Sequence, residues 1–296
     1  MTALYGGVET GGTWCVCAVG TGPDHIERRE QFRTTDPTAT LDRIVAFFAA
    51  GPLPSAIGIG SFGPVDLDPA SPTWGHVTTT PKPGWRGAAV APPIRERLGV
   101  PVAFGQDVAT AALGEHRWGA GQRARALAYV TIGTGIGAGL LIDGRPWHGL
   151  LHPEAGHVRI PHDRARDPFD GACPSHGDCW EGLAGGPAIA ARFNTPGDAL
   201  PADHPFWALE AEYVALGLLA LVGVFSPEKV ILGGGVLDHP GLLDHTRAHL
   251  RDLAAGYWDT PLLGDRIADF LVPPALGDDA GVLGALALAA DQALHH

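Results

Sequence analysis

The residues YGGVETGGTWCVCAV at 5–19 and ALAYVTIGTGIGAGLLI at 126–142 decide the fold, because both follow one pattern. Each begins as an apolar strand, breaks at glycines and resumes as a second, alternating strand. A dinucleotide-binding fold would place a helix after such a turn, so the continuing strands argue against that fold. Two halves of the chain that begin alike predict an α/β protein of two related domains.

The length of 296 residues, 45% of them apolar, suits two domains of ordinary size. We expect an N-terminal α/β domain over residues 1–115 and a C-terminal α/β domain over 116–279. The alanine- and leucine-rich segment 280–294 predicts a closing helix that packs back on the first domain. A loop rich in polar and metal-binding residues, 152–181, lies in the second domain.

The charge balance limits the classes of partner. A net charge of -12 argues against a surface that holds nucleic acid or anionic membrane. The chain starts without a signal-peptide pattern, and no stretch is expected to reach the roughly 18 apolar residues of a spanning helix. We therefore expect a cytoplasmic protein without nucleic-acid or membrane partners. Cys15 and Cys17 are expected to be reduced strand residues that point to opposite faces.

Three glycine-rich turns are candidates for phosphate binding: residues 11–12, 133–137 and 233–235. A backbone without side chains lets N–H groups approach phosphate oxygens closely. A P-loop is excluded, because the chain contains no Gly-Lys-Ser/Thr sequence. Taken singly, each turn is also compatible with an ordinary hairpin.

Asp107 lies between a predicted strand, 100–104, and a predicted helix, 108–118. The simplest interpretation is a helix N-cap. A carboxylate at a helix N-terminus is also held ionised by the helix dipole, which suits a general base in phosphoryl transfer. The two roles do not exclude each other.

His157, Cys173, His176 and Cys179 form the most specific pattern, and the last three read C-x2-H-x2-C. Two thiolates and two imidazoles are a ligand set for one tetrahedral zinc ion. Four protein ligands leave no open position, so the predicted Zn²⁺ is structural rather than hydrolytic. Asp170 and Asp178 are rival oxygen ligands, and a metal-free loop with free thiols is the alternative.

Glu154 and Glu181 flank the predicted metal ligands. Ionised carboxylates accept hydrogen bonds from hydroxyl groups, so these two residues are candidates for binding a polyol. The alternatives are surface charges or hydrogen-bond partners of the metal ligands. Lys82 and Trp85 lie in the sequence TPKPGW, where Trp85 offers a face of the kind that stacks on sugars. A rigid surface loop is the alternative for that segment.

Together these segments resemble the ROK sugar kinases, and within them the bacterial fructokinases. The resemblance covers nearly the whole chain and rests on the motifs GGVETGGT (6–13), GSFGPVD (60–66), TPKPGW (80–85), AALGE (111–115), TIGTGIG (131–137), PEAGH (153–157), the C-x2-H-x2-C-x-E segment (173–181) and GGG (233–235). It implies an actin-like, hexokinase-like ATPase fold of two related α/β domains with a central cleft. It also implies transfer of the ATP γ-phosphoryl group to the 6-hydroxyl of D-fructose, with Mg²⁺ accompanying ATP, in a homodimer.

The resemblance further implies residue roles. Asp107 corresponds to the catalytic base. The sugar-binding positions are Glu154, His157 and Glu181, so that His157 both ligates zinc and contacts sugar, and the fructokinase-like loop adds Lys82. The nucleotide-binding positions are Gly11, Gly12, Thr13, Gly133, Thr134, Gly135, Gly233, Gly234 and Gly235, with Pro187 at the start of a helix.

Three positions depart from the wider family: Glu9 replaces an aspartate, Gln106 precedes the base, and Ala109 follows it where asparagine is common. The sequence therefore predicts the reaction more firmly than the exact hexose. Mannose, glucose or an N-acetylhexosamine is the alternative substrate. A non-catalytic sugar-sensing protein is a further alternative. Since such repressors carry a DNA-binding extension before the first strand, which begins here by Tyr5, we expect an enzyme.

Overall fold

The computed structural model describes residues 3–294. The chain forms two units, which we describe one at a time. Unit 1 takes the described parts of Met1–Arg125, Gly139–Pro153 and Ala275–His296, and unit 2 takes Ala126–Ala138 and Glu154–Pro274. The division into domains 1–115 and 116–279 remains a prediction.

The first elements in chain order belong to unit 1. They are β1 (Tyr5–Thr10), β2 (Trp14–Gly22), β3 (His25–Arg33), α1 (Pro37–Ala49), β4 (Ile57–Ser61), α2 (Ala91–Leu98), β5 (Val102–Gln106) and α3 (Asp107–Trp118).

The later elements begin with a second strand–turn–strand pair. They are β6 (Ala126–Ile132), β7 (Ile136–Ile142), β8 (Arg145–Pro146), α4 (Trp180–Ala184), α5 (Gly186–Phe193), α6 (Phe206–Phe225), β9 (Lys229–Gly233), α7 (Leu242–Ala254), α8 (Ile267–Phe270), β10 (Leu271–Val272) and α9 (Ala280–Leu294).

The sheet of unit 1 has the order β3-β2-β1-β4-β5. Strands β1, β2 and β3 pair antiparallel, whereas β1, β4 and β5 pair parallel. Helices cover both faces. A side chain at Gly6 would meet Phe48 of α1, and one at the next residue, Gly7, would meet the α9 backbone at Val282. Because successive strand residues face opposite sides, α1 and α9 lie on opposite faces of the sheet.

The second sheet has the order β10-β9-β6-β7-β8. Strand β9 pairs parallel with both β6 and β10, and β8 pairs antiparallel with β7. The second strand of the repeated pattern starts at Ile136, two residues before the predicted Ala138. The glycine turn is therefore confined to residues 133–135, and Gly137 lies within β7.

Helix α6 is long and apolar enough, by length and composition, to cross a membrane. The expectation that no stretch would be apolar enough is therefore wrong. Glu210 and Glu212 interrupt the apolar run, but the mean hydropathy of the helix stays at the level of spanning helices. Half of its apolar window is buried inside the protein. Such burial is what a core helix of a folded domain shows.

Cys15 and Cys17 are both fully buried in the same hydrophobic core cluster of unit 1. Residues two apart on a strand share a face, so the expectation that these cysteines point to opposite faces is wrong.

Close packing between α3 and α9 generates a prediction about stability. A side chain at Gly114 of α3 would meet the α9 backbone at 2.7 Å from Ala280 O and 2.8 Å from Gly284 N. We expect Gly114→Ala to lower the melting temperature by several degrees, since overpacking costs roughly 1–3 kcal/mol.

The matched control is Gly223→Ala in α6, where an added methyl group meets nothing within 4 Å. Alanine favours helix by about 1 kcal/mol over glycine, so this variant is expected to match or exceed the wild-type melting temperature. Equal melting temperatures for both variants would contradict the packing argument.

Candidate active site and metal-binding loop

The predicted site residues fall into two groups, one in each unit. Unit 1 contains the first glycine turn, Lys82 and Asp107, and unit 2 contains the other two turns and residues 154–181 of the metal-binding loop.

In unit 1 the strand register aligns the carboxyl ends of three parallel strands. Thr10 pairs with Ser61, and Ser61 pairs with Gln106. The residues that follow, Gly11 and Asp107, therefore leave the sheet at the same edge. Two strand spacings separate them, which is about 10 Å. Ligand sites in α/β proteins commonly form at this edge.

The first glycine turn is held by its carbonyl groups. Thr34 Oγ1 donates to Gly11 O at 2.8 Å, Lys82 Nζ donates to Gly12 O at 2.6 Å, and the Thr34 amide donates to Thr13 O at 3.0 Å. A side chain at Gly12 would meet nothing within 4 Å. The space beside Gly12 is therefore open, so a phosphate oxygen can approach the backbone there.

Trp85 anchors the TPKPGW loop in the core of unit 1. Trp85 is fully buried against Phe62, with ring centroids 5.0 Å apart, and its Nε1 donates to Thr35 O at 2.7 Å. The expectation that Trp85 offers a face for stacking on a sugar is therefore wrong, because its ring lies in the core. Sugar binding by Lys82 remains a prediction, although its ammonium group contacts the glycine turn.

Asp107 is the first residue of α3, and the N-cap position is occupied by Gln106. The expectation of an N-cap aspartate is therefore wrong by one residue. Its carboxylate accepts a hydrogen bond from Val108 N at 2.8 Å. Burial nevertheless raises the pKa of Asp107 to about 7, and this outweighs the backbone hydrogen bonds that lower it. Desolvation, rather than the helix dipole, therefore dominates.

Glu9 lies near the carboxyl end of β1 in unit 1. Burial, followed by the charge of Asp107, raises the pKa of Glu9 to about 7. A side chain at Gly281 of α9 would meet the Glu9 carboxyl group, so the Glu9 side chain in this conformation packs directly against glycine. Gln106 is buried, and its Oε1 has no hydrogen-bond partner among the described residues. Two acids of raised pKa and an acceptor without a described partner thus lie near the carboxyl ends of β1 and β5.

In unit 2 the second and third glycine turns lie side by side. Thr131 of β6 pairs with Gly233 of β9, so the turns that follow these parallel strands share one edge. Gly234 has a φ of 96°, and a side chain there would meet Ile132 O at 2.5 Å. Only glycine fits this position without strain.

The N-terminus of α5 lies against the second turn. Gly186 N donates to Gly133 O at 2.7 Å, which places Pro187 in the first turn of a helix beside residues 133–135. A side chain at Gly133 would meet nothing within 4 Å. Helix N-termini favour anions, so this edge has the features of a phosphate site.

The carboxylate of Glu181 also contacts the second turn. Its Oε2 accepts from Ile136 N at 2.9 Å and lies close to Gly135. Glu154 begins the short helical turn that carries His157, and its carbonyl accepts from His157 N at 3.0 Å. Thus both predicted sugar-binding acids lie within three residues of a predicted metal ligand. The contact between Glu181 and Ile136 had no signal in the sequence.

The four predicted metal ligands converge. Their ligand atoms all lie within 4.8 Å of one another. Cys173 Sγ lies 3.7 Å from the Nδ1 atoms of His157 and His176, and Cys179 Sγ lies 3.7 Å from His157 Nδ1. Metal–sulfur bonds of about 2.3 Å and metal–nitrogen bonds of about 2.0 Å at tetrahedral angles give edges of about 3.6 Å. The cluster can therefore hold one four-coordinate metal ion.

The rival oxygen ligands are occupied elsewhere. Asp178 pairs with Arg159, with Arg164 at 2.9 Å and with His162 at 3.2 Å. Asp170 is largely exposed and pairs with Arg164 at 2.7 Å. Both aspartates are thus engaged in ion pairs, so two sulfurs and two imidazoles remain as the predicted metal ligands.

Two α/β units that each contain a strand–glycine turn–strand pair fit the class of actin-like, hexokinase-like ATPase folds, and a solved relative agrees. A ROK family glucokinase from Streptomyces griseus, in complex with glucose and AMPPNP, has a TM-score of 0.77 and 27% identity, covering 97% of this chain and 99% of its own. The ROK family model matches residues 5–292. The chain belongs to the ROK family, and the predicted family and fold class are confirmed.

Two sequence relatives are more similar. A protein of Bacillus subtilis (strain 168) is 43% identical over 286 residues, covering 97% of this chain and 95% of its own. A fructokinase of Zymomonas mobilis is 42% identical over 298 residues, covering 97% of this chain and 96% of its own.

The raised pKa of Glu9 predicts how stability depends on pH. The unfolded chain releases the Glu9 proton near pH 4.5 but the folded chain only near pH 7, so ionisation progressively destabilises the fold between these values. Glu9→Gln removes that penalty. We expect the variant to gain up to about 3 kcal/mol relative to wild type between pH 4.5 and pH 7.5.

Urea unfolding at several pH values measures this difference. Glu27→Gln, the same substitution at an exposed position of β3, is the matched control. A stability difference for Glu9→Gln that does not change with pH would contradict the argument.

Proposed function

We propose that this ROK protein is an ATP-dependent fructokinase, which transfers the γ-phosphoryl group of ATP to the 6-hydroxyl of D-fructose. The proposal rests chiefly on one observation: Asp107, with its raised pKa, leaves the sheet of unit 1 at the same edge as an open glycine turn. A fructokinase at 42% identity over nearly the whole chain supports the choice of sugar.

Asp107 is proposed as the general base. An acid with a pKa of about 7 is partly ionised at neutral pH, and it is a stronger base than an ordinary aspartate. In phosphoryl transfer, proton removal from the attacking hydroxyl adds to positioning and charge stabilisation, which supply most of the rate.

The glycine turns are proposed to bind ATP. In unit 1, Gly11, Gly12 and Thr13 offer backbone amides at an open turn, and in unit 2 the turn at Gly133, Thr134 and Gly135 lies beside the N-terminus of α5 at Pro187. Gly233, Gly234 and Gly235 complete that edge on the adenosine side.

The carboxylate of Glu9 is an oxygen ligand of the kind that suits Mg²⁺. Magnesium bound with ATP neutralises charge on the phosphates.

The metal-binding loop is proposed to hold a structural zinc ion. Two sulfurs and two imidazoles at tetrahedral spacing suit zinc better than a harder ion. Because His157 directs Nδ1 at the sulfurs, its Nε2 is left for a sugar hydroxyl. Zinc would thereby fix the segments that carry Glu154, His157 and Glu181.

The cytoplasmic location and the homodimer belong to the same proposal, and the homodimer rests on the family resemblance. Glucose, mannose and N-acetylhexosamines are the alternative substrates, because Gln106 and Ala109 depart from the family at positions beside the base.

Replacement of the base tests the mechanism. We expect Asp107→Asn to lower kcat with fructose and ATP by roughly 10²- to 10⁴-fold, since an amide cannot accept the hydroxyl proton. Wild-type kcat/KM should rise with pH and level off above about pH 7, where Asp107 is ionised. Steady-state kinetics from pH 5.5 to 8.5 measures both effects.

Asp203→Asn, at an exposed position of unit 2, is the matched control and should keep wild-type kinetics. Near-normal turnover of Asp107→Asn with fructose would rule out the proposed base.

Removal of a metal ligand tests the zinc proposal. Cys173→Ser should reduce zinc from about one ion per chain to a small fraction and weaken fructose binding by roughly tenfold or more, because the sugar-binding segments lose their common anchor. Metal analysis and titration calorimetry measure the two effects.

Asp170→Asn, which changes the exposed rival ligand, should keep both zinc and affinity for fructose. Substoichiometric zinc in freshly purified, unchelated wild-type protein would contradict this proposal.

A further inference from the structure

Lys82 binds the backbone of the first glycine turn. Its ammonium group donates to Gly12 O at 2.6 Å and to Thr34 O at 3.3 Å. It is one of two lysines in the chain, the other being Lys229 at the start of β9. A hydrogen bond from a charged donor is stronger than one between neutral groups, so Lys82 restrains the Gly12 carbonyl firmly.

Fixing a carbonyl also fixes the next amide. A trans peptide is planar, so the N–H of one residue points opposite to the C=O of the residue before it. Lys82 holds the carbonyl of Gly12, and Thr34 Oγ1 holds the carbonyl of Gly11 at 2.8 Å. The amides of Gly12 and Thr13 are therefore directed away from Lys82 and Thr34.

The lysine itself is mounted on a stiff segment. Pro81 and Pro83 flank it, and the loop is anchored where Trp85 Nε1 donates to Thr35 O at 2.7 Å. Trp85 and Lys82 thus bind neighbouring carbonyls, those of Thr35 and Thr34. The TPKPGW loop is fastened at two points to the segment that also holds Gly11.

We propose that Lys82 is a positioning residue for the nucleotide, acting through the Gly12 carbonyl, and that Thr34 does the same through Gly11. This inference rests on the proposed binding of ATP at the first glycine turn, and it replaces the predicted sugar contact of Lys82. The pair orients the amides of Gly12 and Thr13 toward phosphate oxygens. Without it, these carbonyls are free to turn toward the phosphates and repel them.

Binding measured separately for nucleotide and sugar tests the proposal. Lys82→Met should weaken Mg²⁺–ADP binding by roughly tenfold or more, as expected for a lost hydrogen bond to a charged group. Its dissociation constant for fructose, measured without nucleotide, should stay within about twofold of wild type, because the sugar is not its partner. Lys82→Arg, which keeps the charge and the donors, should recover part of the loss.

Lys229→Met is the matched control and should change neither constant. Thr34→Val provides an independent arm, since it removes the hydroxyl donor to Gly11 and keeps the side-chain shape. It should weaken ADP binding by a few-fold, the size expected for a neutral hydrogen bond, with fructose binding unchanged. Thermal unfolding confirms that each variant is folded.

Two results would overturn the proposal: weaker fructose binding with unchanged ADP binding in Lys82→Met, or no change in either constant. If fructose is not phosphorylated but Lys82→Met weakens ADP binding as expected, only the proposed function would be contradicted. A wild-type chain that binds no ADP would contradict both.

Discussion

Parallel strand pairing is the constraint on which the rest of the structure depends. In unit 1 the register of β1, β4 and β5 brings Gly11 and Asp107 out at one edge. In unit 2 the pairing of β6 with β9 does the same for the turns at 133–135 and 233–235. A shift of one residue in either register would turn the side chains of the shifted strand to the opposite face of the sheet. The site is therefore a consequence of backbone pairing before any side chain acts.

The side chains around each edge then set the chemistry. In unit 1, burial raises the pKa values of Glu9 and Asp107 to about 7. Lys82 and Thr34 bind carbonyl groups of the first glycine turn. In unit 2, the ligand atoms of His157, Cys173, His176 and Cys179 all lie within 4.8 Å of one another. Glu181 follows the last ligand by two residues and contacts the second turn through Ile136 N. A metal ion at the cluster would fix that contact as well as the cluster itself.

Much of the fold could be predicted from the sequence, because strand alternation and glycine breaks are local signals. The strands on both sides of Gly11–Gly12 and the helix 280–294 followed from such patterns. Helix α2 was not predicted, since Pro92 and Pro93 suggest a break, although proline is accepted in the first turn of a helix.

The environment of the site residues was harder to predict. Burial of Trp85 depends on a hydrogen bond to Thr35, 50 residues away, and the raised pKa of Asp107 depends on tertiary desolvation. The cluster ligands, in contrast, could be named in advance because metal spacing is encoded within 23 residues.

Product analysis with competing sugars tests directly whether the protein is a fructokinase. The purified protein would be given Mg²⁺–ATP and equal amounts of fructose, mannose, glucose and N-acetylmannosamine, and the phosphorylated products would be identified by phosphorus and carbon NMR. We expect fructose 6-phosphate as the main product. A main product from another hexose, phosphorylation of fructose at a hydroxyl other than O6, or no phosphorylated sugar would contradict it.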